Sequence, residues 1–200
     1  MPTVPNGDLD GRTARRDRNR EAVLDAAIDL FREDAMFPGP AMVAERSGVS
    51  RRSVQRYFDD MDALLRAAMA RHLQRYEHLF LLDDPAEGDL DHRVRRLVDA
   101  RLKLYAAIGP MARAASLRAR SSPLIRERLA ERRQLLLDQI EAMFARELEP
   151  LPAAERRERV AAIDLLLGIE AFERLIHDRG LPRAAARRSL VHATTAVLST

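Results

Sequence analysis

Residues 39–58 read G-P-A-M-V-A-E-R-S-G-V-S-R-R-S-V-Q-R-Y-F, and they predict two short helices joined by a tight turn. Pro40 suits the first turn of a helix, where its missing N–H group is not needed. Gly48 can adopt the positive φ that ends a helix, and Ser50 can cap the next helix by accepting from its first backbone N–H groups. We therefore expect one helix that begins at Pro40 and a second that begins after Ser50 and runs to about Phe58.

The outer face of the second helix carries side chains suited to DNA. Apolar Val43, Val49 and Val54 are spaced to pack the two helices together, so the polar side chains remain outside. Arg can bond guanine, and Gln can bond adenine, through two parallel hydrogen bonds in the major groove, which admits a helix of this kind. The predicted DNA-binding residues are Ser50, Arg51, Arg52, Ser53, Gln55, Arg56 and Tyr57.

The distance that each side chain can span determines the role expected for it within this set. Only residues near the start of a short helix and on one face can reach base edges, so we expect Arg52, with Gln55 or Arg56, to contact bases. Two alternatives remain open, because any one arginine can be a solvated surface charge and the tyrosine can pack against the first helix. The phosphate contacts are expected mainly from Ser50, Arg51 and Tyr57.

The composition favours a helical protein without disulfides. Apolar residues make up 46% of the 200 residues and aromatic residues only 4%, which fits a helical core rich in Ala and Leu. The chain has no Cys, which excludes disulfides and thiolate metal sites and suits a reducing compartment. No apolar run has transmembrane length and no signal peptide is evident, so we expect a soluble, cytoplasmic protein.

Local charge is more informative than the net charge of +3. Residues 46–56 hold four arginines and no acid, and residues 12–20 hold five arginines and one acid. Between these two basic runs lies an acidic stripe at i, i+4 spacing, which we interpret as the solvated face of an amphipathic helix. The acidic stripe consists of Glu21, Asp25, Asp29 and Glu33.

The rest of the chain predicts further helices and no strand. A mobile basic tail is expected over residues 1–16, and Gly109-Pro110 is expected to end a helix. The segment 153–178 is apolar on most sides, so we expect it to be buried both within the subunit and against a partner. The predicted helices cover residues 17–33, 40–46, 51–58, 60–80, 91–108, 111–120, 123–148, 153–178 and 183–198.

The pattern around residues 20–65 resembles the TetR family of bacterial one-component transcriptional regulators. The matching elements are Arg20, V-L-D-A-A-I-D-L-F (23–31), V-A (43–44), S-G-V-S (47–50), Y-F (57–58) and D-A-L-L (62–65). The resemblance implies an all-α fold of about nine helices and a homodimer that binds a palindromic operator in double-stranded DNA. It implies a three-helix DNA-binding domain at 17–62 and a helical effector-binding and dimerisation domain at 63–200.

Three departures from the family pattern affect the operator. The family usually has Gly-Thr-hydrophobic-Tyr where this chain has R-S-V-Q (52–55). It usually has a phosphate-contacting Lys where this chain has Met61, and a Thr pair where this chain has P-G (38–39). The operator sequence therefore cannot be transferred from relatives.

The resemblance also implies a small-molecule effector bound inside the body. A mainly apolar lining would suit a hydrophobic or amphipathic molecule. The candidate ligand-binding residues are Tyr105, Met111, Leu117, Leu136, Ile140, Met143, Phe144, Glu170 and Phe172. The candidate dimer-interface residues, on the last two predicted helices, are Leu165, Ile169, Leu190 and Val197.

No motif in the sequence indicates catalysis, a metal or a cofactor. There is no G-x-S-x-G, no phosphate-binding glycine loop and no H-E-x-x-H. The leading hypothesis is a ligand-responsive repressor rather than an enzyme. The alternative is an all-helical DNA-binding or interaction dimer without an effector, which a filled body core would favour.

Overall fold

The protein is described by a computed structural model that covers residues 7–34 and 38–199. Within these ranges it is all helical, as the sequence predicts, with ten α-helices of which two are a single turn long. The first four are α1 Gly7–Asp34, α2 Pro40–Ser47, α3 Arg51–Tyr57 and α4 Met61–Tyr76. The others are α5 Leu90–Arg118, α6 Pro123–Met143, α7 Ala145–Leu148, α8 Ala153–Leu166, α9 Ile169–Glu173 and α10 Arg183–Ser199.

The chain divides into two compact units. The head unit comprises Met1–Arg75 and Pro110–Arg118, and the body unit comprises Tyr76–Gly109 and Ala119–Thr200. The head unit thus includes α4 as far as Arg75, beyond the boundary expected at residue 62.

The core of the head unit comes from apolar side chains at helical spacing. In α1, Val23, Ala27 and Phe31 are buried at helical spacing. They pack where α1 meets α2 and α3, and Val54 of α3 is buried in the same unit. Burial of each such side chain contributes roughly 1.5–3 kcal/mol, which fixes the position of the short helix α3.

The body unit is a set of packed helices. Helix α8 packs against both α6 and α10. Helix α5 buries apolar side chains at helical spacing, namely Val94, Leu97, Val98, Leu102 and Tyr105. None of the helices that the structure describes is both long enough and apolar enough to span a membrane.

The start of the first helix differs from the prediction. Helix α1 begins at Gly7 instead of Asp17, so residues 7–16 are helical and not an irregular tail. Residues 1–6 of the expected tail lie outside the described residues. The prediction relied on apolar periodicity, which is absent from this polar segment although arginine itself is a good helix former.

The predicted break at Gly109-Pro110 is wrong. Helix α5 continues through Pro110 to Arg118. Proline removes one backbone hydrogen bond and costs about 3 kcal/mol inside a helix. Buried side chains on both sides of it, Ile108 and Met111 among them, offset that cost by packing.

Two predicted long helices are interrupted instead. Helix α6 ends at Met143, because Phe144 has φ −113° and ψ 23° and leaves the helical region. The helix expected over 153–178 ends at Leu166, and Gly168 takes an extended conformation with φ −74° and ψ 161° before α9 begins. Glycine has a low helix propensity, which accounts for the second interruption.

Candidate nucleic-acid interface

The turn before α3 has the geometry that its sequence predicts. Gly48 ends α2 with φ +68°, in the left-handed region that favours glycine. The Oγ of Ser50 accepts a hydrogen bond of 3.2 Å from the backbone N–H of Ser53, which caps the start of α3. The glycine conformation and the serine cap together fix the direction in which α3 leaves the turn.

Helix α3 presents one apolar and one polar face. Val54 and Phe58 are 2% and 6% exposed and anchor it in the head unit. The side chains of Arg51, Arg52, Gln55 and Arg56 are exposed, whereas those of Ser53 and Tyr57 are half-buried. The structure therefore places the predicted DNA-binding residues on one short helix, with the four longest polar side chains directed to solvent.

Arg51 and Arg52, two exposed charges of α3, have no counter-ion in the part of the chain that the structure describes. Among the described residues, Arg51, Arg52 and Gln55 make no side-chain hydrogen bond and no ion pair. The guanidinium carbon of Arg56 lies 5.4 Å from the centre of the Tyr57 ring, a cation–π contact between neighbours. These side chains are free to bind an external acceptor.

Other arginines of the head unit are neutralised by the acidic stripe. Arg46 donates two hydrogen bonds, of 2.8 and 2.7 Å, to the carboxylate of Glu33. Arg71 does the same to Asp25, at 2.9 and 3.0 Å, and Arg75 approaches Asp25 at 3.7 Å.

Asp25 and Glu33 remain 43% and 59% exposed, so they lie on a solvated face as expected, and the fold also pairs both acids with arginines. Their pKa values are lowered, chiefly by the hydrogen bonds from Arg71 and Arg46 respectively. The partners are 46 and 13 residues away in sequence, so only the fold brings them together. The uncompensated positive charge of the motif at 39–58 is therefore restricted to α3.

Helix α1 carries a second group of exposed arginines. Arg15, Arg16 and Arg18 are exposed and have no ion pair among the described residues. Further along α1, the guanidinium carbon of Arg20 lies 5.1 Å from the centre of the ring of Phe58, the residue that follows α3. Arg20 of α1 therefore contacts the residue that follows α3.

The candidate effector residues are dispersed over both units. Met111 and Leu117 belong to the head unit, and Leu117 is 60% exposed. Glu170 is exposed, and Leu136 is half-buried. The remaining candidates are buried in the body unit, namely Tyr105, Ile140, Met143, Phe144 and Phe172.

Two of the buried candidates are in contact. The rings of Tyr105 and Phe172 lie 6.0 Å apart between centres, and the Tyr105 hydroxyl donates a 3.0 Å hydrogen bond to the carbonyl of Leu167. Burial raises the pKa of Tyr105 to about 12, so it remains a neutral donor. None of the candidate effector residues lines either of the two described pockets, one of about 160 Å³ beside Gln55 and one of about 340 Å³ beside Arg157.

Polar residues that were not among the predicted candidates lie near this aromatic pair. Arg101 is 3% exposed and bonds Gln139 at 2.8 Å, and Asp164 lies near enough to affect its pKa. The available signal was that Arg101 lies four residues before Tyr105, on the same face of α5.

The candidate interface residues differ in exposure. Leu165 on α8 is 74% exposed, and Ile169 and Val197 are half-buried. Leu190 is only 5% exposed and packs inside the body unit, so it is not available to a partner.

The comparisons with known proteins agree on the fold. A TetR-family transcriptional regulator from Streptomyces coelicolor superposes with a TM-score of 0.67 over 90% of this chain and 80% of that chain, at 22% identity. A transcriptional regulator from Rhodococcus sp. Rha1 superposes with a TM-score of 0.66 over 92% of this chain and 96% of that chain, at 20% identity.

The sequence comparison is more local. The chain is 37% identical over 92 residues to the HTH-type transcriptional repressor LfrR of Mycolicibacterium smegmatis. That match covers 44% of this chain and 47% of LfrR, so the chain spans about half the length of the relative. No protein-family sequence model matches the chain. Over 90% of its length the chain shares the fold of a TetR-family transcriptional regulator, as the resemblance read from residues 20–65 implies.

Proposed function

We propose that the protein is a homodimeric DNA-binding transcriptional regulator that represses transcription from a palindromic operator and is released by a small molecule. The observation that carries the proposal is the charge on α3. Arg51 and Arg52 are exposed and pair with no acid of residues 7–34 and 38–199, whereas Arg46 and Arg71 are each held by a carboxylate. The fold and the local likeness to the repressor LfrR support the same function.

Helix α3 acts as the recognition helix in this proposal. Its first turns enter the major groove, where Arg52 and Gln55 or Arg56 contact base edges through paired hydrogen bonds. The half-buried Tyr57, with Arg51 and the capping Ser50, contacts phosphates and fixes the register. Because Met61 replaces the usual lysine, these arginines supply the electrostatic attraction to the backbone.

Dimerisation would place two recognition helices on two half-sites. The two half-sites of a palindrome are about 34 Å apart, one helical turn of DNA, when read from one face. The exposed Leu165, together with Ile169 and Val197 on neighbouring body helices, supplies the apolar surface for a second copy of the chain.

Release from DNA follows from a difference in the affinity of the effector for two conformations of the body. An effector that binds better to a body conformation in which the two heads no longer match the half-sites lowers the population of the DNA-binding state. To shift a two-state equilibrium from 99:1 to 1:99, it must prefer that state by about 5.5 kcal/mol.

Selection of bound sequences from a random pool of duplex DNA tests the proposal. The expected result is an enriched inverted repeat, which reports both a dimer and a sequence-reading helix. A matched selection with Arg51→Ala/Arg52→Ala should enrich no repeat, whereas Arg46→Ala, whose side chain is held by Glu33, should enrich the same repeat as the parent. Failure of the parent chain to enrich any sequence would contradict the proposal.

A further inference from the structure

Helix α1 has a basic segment, residues 15–18, that does not belong to the core of the head unit. From Val23 onward the helix buries a side chain on every turn, whereas Arg15, Arg16 and Arg18 are all exposed. Asp17 between them is exposed too, so the segment is polar on every side. Such a helical segment gains little from tertiary packing, which supplies most of the stability of helices in proteins.

The positive charges of the basic segment repel one another. Arg15 and Arg18 are at i, i+3 spacing, which places like charges on one face of the helix. Arg16 and Arg20 are at i, i+4 spacing, with the same effect. No arginine of the basic segment forms an ion pair with any residue that the structure describes. This repulsion is relieved when a polyanion binds the segment and neutralises its charges.

The basic segment lies close to helix α3. Helix α1 packs against α3, and Arg20 of α1 contacts the ring of Phe58, the residue that follows α3. Arg15 and Arg18 precede Arg20 on the same helix. At a rise of about 1.5 Å per residue, they lie about 8 Å and about 3 Å from Arg20 along the helix axis. The exposed arginines of α1 and those of α3 therefore occupy adjoining parts of the head unit.

The start of α4, which also follows α3, has the opposite charge. Asp60 accepts a 2.6 Å hydrogen bond from the backbone N–H of Ala63, and Asp62 pairs with Arg118. Asp59 is exposed and forms no ion pair within the described part of the chain. Carboxylates repel a phosphate, whereas the guanidinium groups of α1 attract it. The charges therefore favour a contact with the DNA backbone at α1 over one at the start of α4.

We propose that the basic segment is a second DNA-contact surface, which binds the phosphate backbone of duplex DNA beside the half-site read by α3. A helix with its side chains is about 10–12 Å wide and the minor groove is about 6 Å wide, so the segment cannot enter that groove as a helix. Its arginines reach phosphates, which carry no sequence information, and they add affinity without base preference. The position beside a half-site rests on the proposed function, whereas the backbone contact requires only duplex DNA.

The test compares the parent chain with Arg15→Ala/Arg16→Ala/Arg18→Ala. Alanine has the highest helix propensity and the replaced side chains are exposed, so the variant should keep the parent fold, which circular dichroism and urea unfolding check. Each lost phosphate contact lowers the slope of log affinity against log salt by about 0.9. From about 50 to about 200 mM salt, the affinity of the parent should therefore fall about fortyfold more than that of the variant.

Two further comparisons separate a local contact from general charge. Arg16→Ala alone should lower the salt slope by about 0.9. Arg32→Ala, which removes an exposed arginine from the last turn of the same helix, should leave the slope unchanged. Because lysine also binds phosphate as a point charge, Arg15→Lys/Arg16→Lys/Arg18→Lys should keep the salt slope of the parent. Equal loss in the lysine and alanine variants, or equal effects of Arg16→Ala and Arg32→Ala, would overturn the backbone contact.

The same titrations, made on a selected operator and on a random-sequence duplex, separate this inference from the proposed function. If the parent selects a repeat and the triple alanine variant has the same salt slope, the inference is wrong and the proposed function stands. If the parent binds both duplexes equally and the variant binds both more weakly with a smaller slope, the inference stands and sequence reading by α3 fails. A parent chain that binds neither duplex would overturn both.

Discussion

Arg71 of α4 donates hydrogen bonds of 2.9 and 3.0 Å to the two carboxylate oxygens of Asp25 in α1. This pair joins two helices of the head unit across 46 residues of sequence. The pair also neutralises one negative and one positive charge at the surface of the head unit. Within the motif at 39–58, Arg46 is neutralised in the same way by Glu33, and the arginines of α3 are the ones that remain exposed.

Asp25→Asn is expected to destabilise the head unit. The side chains of Arg71 and Asp25 are 31% and 43% exposed, so solvent screening limits the loss to about 0.5–1 kcal/mol. The lowered pKa of Asp25 means that this contribution is present at neutral pH and is lost as the pH falls through that pKa. Urea unfolding at pH 7 measures the loss.

Asp29→Asn is the matched control, because Asp29 is exposed in the same acidic stripe and forms no ion pair among the described residues. It should leave the urea midpoint nearly unchanged. Equal losses in the two variants would contradict a specific contribution from the pair with Arg71.

Gly48→Ala is expected to destabilise the turn before α3 by about 1 kcal/mol, because a Cβ is unfavourable in the left-handed region. A Cβ at Gly48 would have no atom within 4 Å, so the loss reflects backbone conformation alone. Gly39→Ala also meets no atom but has φ −69°, so it should be neutral or slightly stabilising. Thermal unfolding distinguishes the two variants. Similar changes in their melting temperatures would contradict the role of the left-handed conformation at Gly48.

His72 should make the head unit less stable in mild acid. It is 2% exposed, and burial, followed by the charges of Arg32 and Arg75, lowers its pKa from 6.5 to about 4. The unfolded chain therefore binds a proton below about pH 6.5 that the folded chain does not bind, so stability falls as the pH drops from 6.5 towards 4. The loss between pH 7.5 and pH 5 is about 2 kcal/mol.

His72→Leu should remove this part of the pH dependence, whatever its effect on stability at neutral pH. Urea unfolding of the parent and the variant at pH 7.5 and pH 5 gives the difference. If the two proteins lose the same stability between these pH values, titration of His72 is not the cause.

Leu165→Glu is expected to dissociate the proposed dimer. Leu165 is 74% exposed on α8, and a charge buried in an apolar interface is strongly unfavourable. Leu81→Glu is the control, since Leu81 is similarly exposed, at 61%, but lies outside the last helices. Light scattering at micromolar concentration should show a dimer for the parent and Leu81→Glu and a monomer for Leu165→Glu. A monomeric parent chain would refute dimerisation.

Local signals predicted the recognition motif well. The positive φ at Gly48, the cap at Ser50 and the burial of Val54 each follow from the chemistry of a few neighbouring residues. The continuation of α5 through Pro110 did not follow, because packing on both sides of the proline overrides its local preference.

Features that depend on distant residues were beyond the sequence analysis. Arg101 reaches Gln139 across 38 residues, and the acidic stripe is neutralised from α2 and α4. The exposure of the α3 side chains was predictable from their spacing. Which arginines of the head unit are paired with an acid was not predictable, because the acids that pair with Arg46 and Arg71 are distant in sequence.

The central claim, that the uncompensated side chains of α3 read DNA, is tested most directly by measuring affinities for a selected operator and its single-base variants. Arg52→Ala is expected to relax discrimination at one position of each half-site by about 1–3 kcal/mol, and Gln55→Ala at another. Arg51→Ala should weaken all sequences about equally and reduce the salt dependence, whereas Arg46→Ala should change neither. If Arg52→Ala and Gln55→Ala weaken every sequence to the same extent, helix α3 does not read the bases and the account is wrong.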